Sequence, residues 1–211
     1  MEMAANQGYL QAQSTLAALY LRGLPGLSAT AAAAEGATQA TPGAIEGDAS
    51  DAARHSTTAL FVAAEGSRPD FERAMTWAAK AAEAGSADAQ ALVGFILTSG
   101  PEEMRDLPRA LEAYRRSAAA DCPQGKLGYA LALLRGGDAA GNEEAADNLR
   151  SAASAGLATA QYMLGVMNEQ GQGMPHNREA ATDLYFQAAQ KGLRSAQARY
   201  GFALLHGLGV E

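Results

Sequence analysis

The side chains that most often carry metal or nucleophilic chemistry are scarce in this 211-residue chain and lie far apart in sequence. His55, His176 and His206 have no second histidine or cysteine at metal-ligand spacing. Cys122 is the single cysteine, so an intrachain disulfide is impossible, and Lys126 is the one basic residue at helical spacing that could activate its thiolate. The sequence therefore offers no set of residues for a metal centre, and it does not favour a reactive thiol.

Motifs for serine, phosphate or zinc chemistry are also missing from the sequence. No SxxK or GxSxG pattern presents a serine nucleophile, and no HExxH pattern occurs. Gly171 and Gly173 follow no predicted strand, as a nucleotide-binding loop would, and instead fit a turn between helices. We therefore predict no catalytic residues, no metal and no cofactor, and we expect function to depend on a surface.

Composition narrows the kinds of partner. The net charge of −7 and the pI near 5.0 argue against nucleic acid, which needs a concentrated basic surface. No apolar run approaches the roughly 20 residues of a membrane span, so direct membrane insertion is not expected. One local group of basic residues is interpreted as a solvated helix face: Arg105, Arg109, Arg115, Arg116 and Lys126. A protein or peptide partner is favoured, and a small-molecule ligand is not.

The sequence leaves the cellular compartment open. The first residues, MEMAANQG, lack the basic and apolar segments of a signal peptide. A cytoplasmic location fits this segment alone, and a periplasmic one stays possible for a longer parent chain.

Two short motifs recur along the chain and determine its architecture. An Ala-Gln pair with a glycine four residues after the glutamine begins at Ala89, Ala160 and Ala196. An alanine pair with a glycine three residues after its second alanine is found at 81–85, 152–156 and 188–192. We interpret Pro123-Gln124 and Ala118-Ala119 as weaker copies, with Cys122 in the place of the glycine. Recurrence at a period of roughly 36 residues predicts stacked helical hairpins, because one hairpin cannot bury its apolar face alone.

Local signals place the helix ends. Asp70, Asp106, Asn142 and Asn177 are predicted N-caps. Three glycines are predicted left-handed residues just beyond helix ends: Gly85, Gly156 and Gly192. The predicted helices cover 9–22, 70–84, 86–99, 106–120, 123–135, 142–155, 157–170, 177–191 and 193–206.

The chain divides into three parts by this pattern. Residues 1–23 form a partial N-terminal repeat, and residues 70–211 form a regular array that is cut within its last repeat. Residues 24–69 form a degenerate or inserted repeat, for which we predict a helix at 51–65. A disordered insertion throughout 24–69 is the alternative.

Glycines inside the predicted helices indicate close packing. Each of Gly94, Gly128, Gly165 and Gly201 costs about 1 kcal/mol of helix propensity against alanine, which close helix approach would explain. We expect large side chains to fill the space beside the small ones: Trp77, Leu92, Tyr114, Leu149, Met163 and Tyr185.

The copy from Ala160 to Gly192 resembles a Sel-one-like repeat (SLR), a relative of the tetratricopeptide repeat. The resemblance covers 70–211 well and 1–23 in part, and it departs at 24–69, at the short turn Asp121–Pro123 and at Asn148. It implies an all-α, right-handed superhelical solenoid of stacked antiparallel helix pairs. It also implies that the first helix of each repeat, which carries the Ala-Gln motif, lines a concave peptide-binding groove, and it implies no reaction.

Carried over to this sequence, that geometry predicts a set of groove-facing residues: Asp88, Phe95, Thr98, Tyr129, Tyr162, Val166, Glu169 and Phe202. Phe95, Tyr129, Val166 and Phe202 are predicted to be equivalent and to form an apolar ladder. The alternative is that these side chains pack between repeats. The chain is thus predicted to be a non-catalytic scaffold or adaptor, the alternative being a structural spacer within a larger bacterial envelope or signalling protein.

Overall fold

Helices account for most of residues 1–23 and 69–209, the parts of the chain that the computed structural model describes. Within these residues ten α-helices follow one another, with a short 3-10 turn at Glu102–Met104 and no strand. They are α1 (Glu2–Asn6), α2 (Leu10–Arg22), α3 (Phe71–Glu83), α4 (Ala87–Ser99), α5 (Leu107–Ala119), α6 (Pro123–Gly136), α7 (Ala139–Ser154), α8 (Ala158–Gln170), α9 (Arg178–Gln190) and α10 (Arg194–His206). Consecutive helices stack in antiparallel pairs, and the predicted right-handed superhelical solenoid is confirmed. The helix predicted at 51–65 lies outside the described residues.

Most predicted N-caps are confirmed. The side chains of Asp70, Asp106 and Asn177 each accept the backbone N–H three residues on at 3.0 Å. The prediction for Asn142 is wrong, because α7 begins earlier and is capped by Asp138, whose Oδ1 accepts the Gly141 N–H. Gly137 ends α6 in the left-handed conformation with φ +73°, and Asp138 follows directly. Helix α7 therefore gains a turn where other repeats have a longer loop.

The left-handed residue within each hairpin was predicted correctly in three copies and wrongly in one. Gly85, Gly156 and Gly192 have φ of +93°, +91° and +84°. Between α5 and α6 this conformation belongs to Asp121, with φ +62°, and not to Cys122. Aspartate is among the few non-glycine residues that adopt this conformation readily, so the turn keeps its geometry without glycine.

We group the helices into the hairpins α1–α2, α3–α4, α5–α6, α7–α8 and α9–α10. The helix with the Ala-Gln motif, which the resemblance makes the first of a repeat, is the second of such a hairpin. The first backbone hydrogen bond of each second helix fixes the alignment of the copies. Gln90 N–H donates to Ser86 O at 3.0 Å, and Lys126 N–H donates to Cys122 O at 3.0 Å. Lys126, and not Gln124, is therefore equivalent to Gln90. The weaker copy was placed two residues too early, because Pro123-Gln124 imitates the Ala-Gln pair.

This alignment changes the predicted ladder. The residue equivalent to Phe95, Val166 and Phe202 is Leu131, five positions after Lys126, as Phe95 is five after Gln90. Tyr129 lies two positions earlier and is not a member of this series. An apolar side chain still occupies the ladder position in each of these four second helices.

Large side chains fill the space beside three of the four helix glycines, as predicted. The prediction is wrong for Gly201, because no atom lies within 4 Å of a Cβ built there. Tyr114 of α5 lies between Gly94 of α4 and Gly128 of α6. A Cβ at Gly94 would lie 2.8 Å from ring atoms of Tyr114, and a Cβ at Gly165 would lie 2.7 Å from the ring of Tyr185. Close approach therefore requires glycine at these positions.

One alanine contact of the repeat is replaced by a serine and a glycine. The register pairs Ala81 with Ala89, and the pairs 152/160 and 188/196 are likewise alanines. In the α5–α6 hairpin the same pair is Ser117 and Gly125. The fully buried Ser117 hydroxyl donates to Ala87 O at 2.7 Å and occupies the space that a Cβ at residue 125 would need.

The array continues across the interval 24–68 without a change of register. Helix α2 packs directly on α3, and Asp70 N–H donates to Tyr20 O at 2.9 Å. The same bond joins Asp106 to Leu97 at 3.0 Å and Asn177 to Asn168 at 2.9 Å. The helices on both sides of the interval share one core cluster, which includes Leu16, Tyr20, Ala78, Leu92 and Ile96.

Candidate interaction surface

The predicted site residues lie on the second helices of the hairpins, α4, α6, α8 and α10, and several of them have structural partners. Asp88 is exposed at the start of α4, and its Oδ1 accepts the Cys122 thiol proton at a sulfur–oxygen distance of 3.3 Å. Burial raises the pKa of the Cys122 thiol. The thiol is thus held protonated as a hydrogen-bond donor, which is opposite to what a nucleophile requires.

Thr98 and Glu169 occupy equivalent positions and bond to equivalent tyrosines. The Thr98 and Tyr114 hydroxyl oxygens are 3.3 Å apart. The Tyr185 hydroxyl donates to Glu169 Oε2 at 2.7 Å. In the intervening copy the pair is Leu134 and Leu149, which pack in one core cluster. Each pair joins a second helix to the first helix of the next hairpin.

Phe95 and Tyr129 are half-buried between helices. Phe95 packs against the core cluster that joins α2, α3 and α4. This is the alternative arrangement, in which a ladder side chain packs between repeats. Tyr129 packs against Leu97, Ala110 and Tyr114. Burial, and then a hydrogen bond to Glu144, raises the pKa of Tyr129.

Three predicted residues come together near the last hairpin. Glu169 Oε2 also accepts a hydrogen bond from Arg199 Nη1 at 2.9 Å. The rings of Tyr162 and Tyr185 are 5.7 Å apart. Glu169 and Phe202 line a cavity of about 50 Å³, which has room for a few water molecules and is far below the size of an ordinary small-molecule pocket.

Arg199 and Tyr185, which connect these residues, were not predicted as members of the site. Tyr185 was predicted only as a space-filling residue. The signal that could have found Arg199 is its position three residues before the predicted site residue Phe202, which puts both on one helix face. Arg199 contacts the preceding repeat through Glu169.

Tyr185 gives a prediction for alkaline pH. Burial, and then the hydrogen bond to Glu169, raises the pKa of Tyr185 above its ordinary value of 10.0. An unfolded tyrosine ionises near pH 10, whereas folded Tyr185 keeps its proton, so this contribution to stability is complete below about pH 10 and declines above it. We expect Tyr185→Phe to lose less stability than the wild type between about pH 9 and pH 11 in urea unfolding. Equal losses in the two proteins would contradict this assignment.

Helix α10 carries three of the exposed large apolar side chains, and the others lie near the N-terminus and on α5 and α9. Phe202 is 55% exposed, Leu204 is 51% exposed and Leu205 is 78% exposed. Leu97, the α4 residue equivalent to Leu204, is only 3% exposed because α5 covers it. Leu204 and Leu205 were missed as surface residues, since the side chains at their positions in α4, α6 and α8 are buried or half-buried.

Other kinds of site find little support in the described residues. Within 1–23 and 69–209, no three histidine, cysteine or acidic side chains come together as metal ligands. None of the helices described there is long and apolar enough to span a membrane. His176 is exposed in the turn before α9, as expected for a solvated loop residue.

Comparison with known proteins identifies the repeats. The sequence profile of the Sel1 repeat matches residues 63–86, 87–122, 158–193 and 194–211, more than half of the chain. The unmatched hairpin at 123–157 contains the shifted copy and the early start of α7. No curated protein shows significant sequence similarity to the chain.

Two bacterial crystal structures share the fold. One is a protective antigen present in uropathogenic Escherichia coli strains that displays an SLR fold. It aligns over 100% of this chain with a TM-score of 0.72 and 24% identity, and the chain spans 36% of its length. The other is a Sel1 repeat protein from Oxalobacter formigenes, with a TM-score of 0.65, 22% identity and coverage of 97% of this chain and 66% of the other.

Sel1 repeat proteins generally serve as protein-interaction scaffolds and are typically non-catalytic. The recurring motifs, the stacked hairpins and the profile matches agree in this case. The chain belongs to the Sel1 repeat family.

Proposed function

We propose that this chain is a non-catalytic scaffold that binds a protein segment along its second helices. The observation that carries the proposal is the apolar ladder formed by Phe95, Leu131, Val166 and Phe202. They occupy equivalent positions on successive helices. Phe202 is 55% exposed, Leu131 and Val166 are half-buried, and Phe95 is half-buried against a core cluster. Apolar side chains that recur at one position of successive helices suit an extended or helical segment laid across the repeats.

The polar residues beside the ladder would orient the partner. Asp88 at one end is exposed, and Arg199 near the other end is 43% exposed in its side chain while it holds Glu169. Such rim charges contribute more to the rate and specificity of association than to affinity. The apolar ladder would supply most of the binding energy.

The test of the ladder replaces three of its residues. None of the three is part of a core cluster formed by the described residues. We expect the triple variant Leu131→Ser, Val166→Ser and Phe202→Ser to weaken partner capture roughly a hundredfold, since each buried apolar side chain is worth about 1–2 kcal/mol. The measurement is affinity capture from the native host with the full-length protein. Circular dichroism would check that helicity is kept.

Leu111→Ser is the matched control, because Leu111 is a 38% exposed leucine of α5 that lies outside the ladder. It should capture the partner as the wild type does. Equal capture by the triple variant would reject the ladder, and no capture by the wild type would favour the structural spacer.

A further inference from the structure

A groove opens between α3 and α5, with α4 as its floor. Its volume is about 340 Å³, at the lower end of the range for ligand sites. Val93 and Gln90 form the accessible floor above the buried Leu97. Alanines form much of both walls: Ala79, Ala82 and Ala113. These floor residues face away from Phe95, because residues two and five positions apart lie on different sides of a helix. The groove is therefore a surface separate from the ladder.

The later repeats show why this groove is open. Between α7 and α9, Gln161 Nε2 donates to Gln187 Oε1 at 3.1 Å and closes the equivalent space. Between α5 and α7, Lys126 Nζ donates to Ser151 Oγ at 2.6 Å. The equivalent residues in the groove are Gln90 and Arg116. No hydrogen bond joins their two side chains in the described part of the chain.

Side-chain size contributes to the same difference. Ala79 stands where Arg115 and Arg150 stand in the next two copies, so the α3 wall lacks a long side chain. The side-chain amide of Gln90 has no hydrogen-bond partner within the described part of the chain. The groove thus combines an apolar floor with an amide that is free to donate and accept.

Helix α5 is basic in a chain of net charge −7, because it carries three arginines and one glutamate. One of these arginines, Arg109, forms an ion pair with Asp106 at 3.8 Å. The side chains of Arg109 and Arg116 are 73% and 65% exposed at the rim. Arg116 donates its Nε–H to Glu112 Oε1 at 2.8 Å, which leaves both of its Nη groups available. Hydrogen bonds from Arg115 and then Arg116 lower the pKa of Glu112 to about 2. Glu83, on the opposite wall, is the other acid of the lining.

We infer that this groove binds an acidic peptide segment of a partner protein. One leucine-sized side chain of the peptide packs on Val93 and on the alanines of the walls, and Gln90 bonds to the adjacent peptide backbone. The carboxylates beside that side chain lie along α5, where they bind Arg109 and Arg116, and away from Glu83. The inference rests on the proposed function in one respect, namely that the partner is a protein, and it concerns a different surface.

The test uses a fluorescein-labelled peptide, Gly-Glu-Glu-Leu-Glu-Asp-Gly, as the probe for fluorescence anisotropy at low salt. We expect saturable binding to the wild type, and binding weakened roughly tenfold for each of Arg109→Gln and Arg116→Gln, since a charge-assisted hydrogen bond is lost in each. Arg116→Gln also recreates the Gln–Gln pair that closes the space at 161 and 187. A peptide with serine in place of leucine should bind at least about tenfold more weakly.

Ala79→Arg distinguishes a groove from a diffuse basic surface. It installs the side chain found at 115 and 150, fills the groove and adds a positive charge. We expect it to abolish probe binding, whereas tighter binding would show nonspecific attraction and overturn the inference. Thermal unfolding of this variant should match the wild type, because arginine is native at the equivalent positions.

The two surfaces are separated by the ladder variant. Probe binding by the triple variant at Leu131, Val166 and Phe202 should equal that of the wild type. The groove and the ladder are therefore tested independently, and either proposal can be rejected while the other holds. Absence of probe binding, or equal binding of the leucine and serine peptides, would overturn the groove site. A dimer that dissociates on Ala79→Arg, measured by light scattering, would instead assign the groove to a second copy and would also overturn it.

Discussion

Gly128→Ala is expected to destabilise the chain by about 1–3 kcal/mol, although alanine is the better helix former. The new methyl group would overlap the ring of Tyr114. Gly94 of α4 also limits the movement of that ring, because a Cβ built at Gly94 would lie only 2.8 Å from it. Tyr114 is also 6% exposed, so the ring has no route to solvent. Thermal or urea unfolding followed by circular dichroism measures the loss.

Gly201→Ala is the matched control for this substitution. Gly201 also lies inside a helix, but no atom lies within 4 Å of a Cβ built there. It should therefore gain about 1 kcal/mol from helix propensity alone. Tyr114→Leu in the Gly128→Ala background should recover part of the loss. Stabilisation by Gly128→Ala would contradict the enclosed position of the Tyr114 ring.

Gly125→Ala is expected to cost about 1–3 kcal/mol, because its methyl group would occupy the position of the Ser117 hydroxyl. Ser117→Ala alone should cost about 1 kcal/mol by removing the hydrogen bond to Ala87 O. The double variant restores the alanine pair of the other hairpins. It should be more stable than the sum of the two losses predicts.

Recovery in the double variant should be partial. A Cβ at residue 125 would also lie 2.8 Å from Ala118 N, so α6 has to move slightly away from α5. Urea unfolding of the four proteins in this cycle measures the coupling free energy. A coupling of zero would show that Ser117 and Gly125 do not compensate each other.

Much of the architecture could be predicted because it depends on local signals. A capping aspartate or asparagine and a left-handed glycine act within one helical turn, and they placed nearly every described helix end within one residue. The motif period reflects contacts that repeat between neighbours, so it identified the stacking. Tyr114 and Tyr185 could be matched to their glycines for the same reason.

The predictions were wrong where a different type of residue takes over a structural role of the repeat. Asp121 adopts a conformation usually left to glycine, and Gln124 imitates a motif glutamine that in this hairpin is replaced by Lys126. The groove could not be predicted at all, because it depends on side chains that are short at Ala79, Ala82 and Ala113. No sequence motif marks such a groove, because it exists only through the positions of the neighbouring helices.

The bond from Asp70 N–H to Tyr20 O has a consequence for how this chain accommodates extra sequence. It brings together residues that are fifty positions apart in the same way as residues nine apart elsewhere in the array. Closing a longer connection costs only about 0.6 kcal/mol for each doubling of its length. The turns between hairpins are therefore sites where foreign polypeptide, such as a reporter domain or an epitope, can be spliced in while the solenoid on either side keeps its pitch.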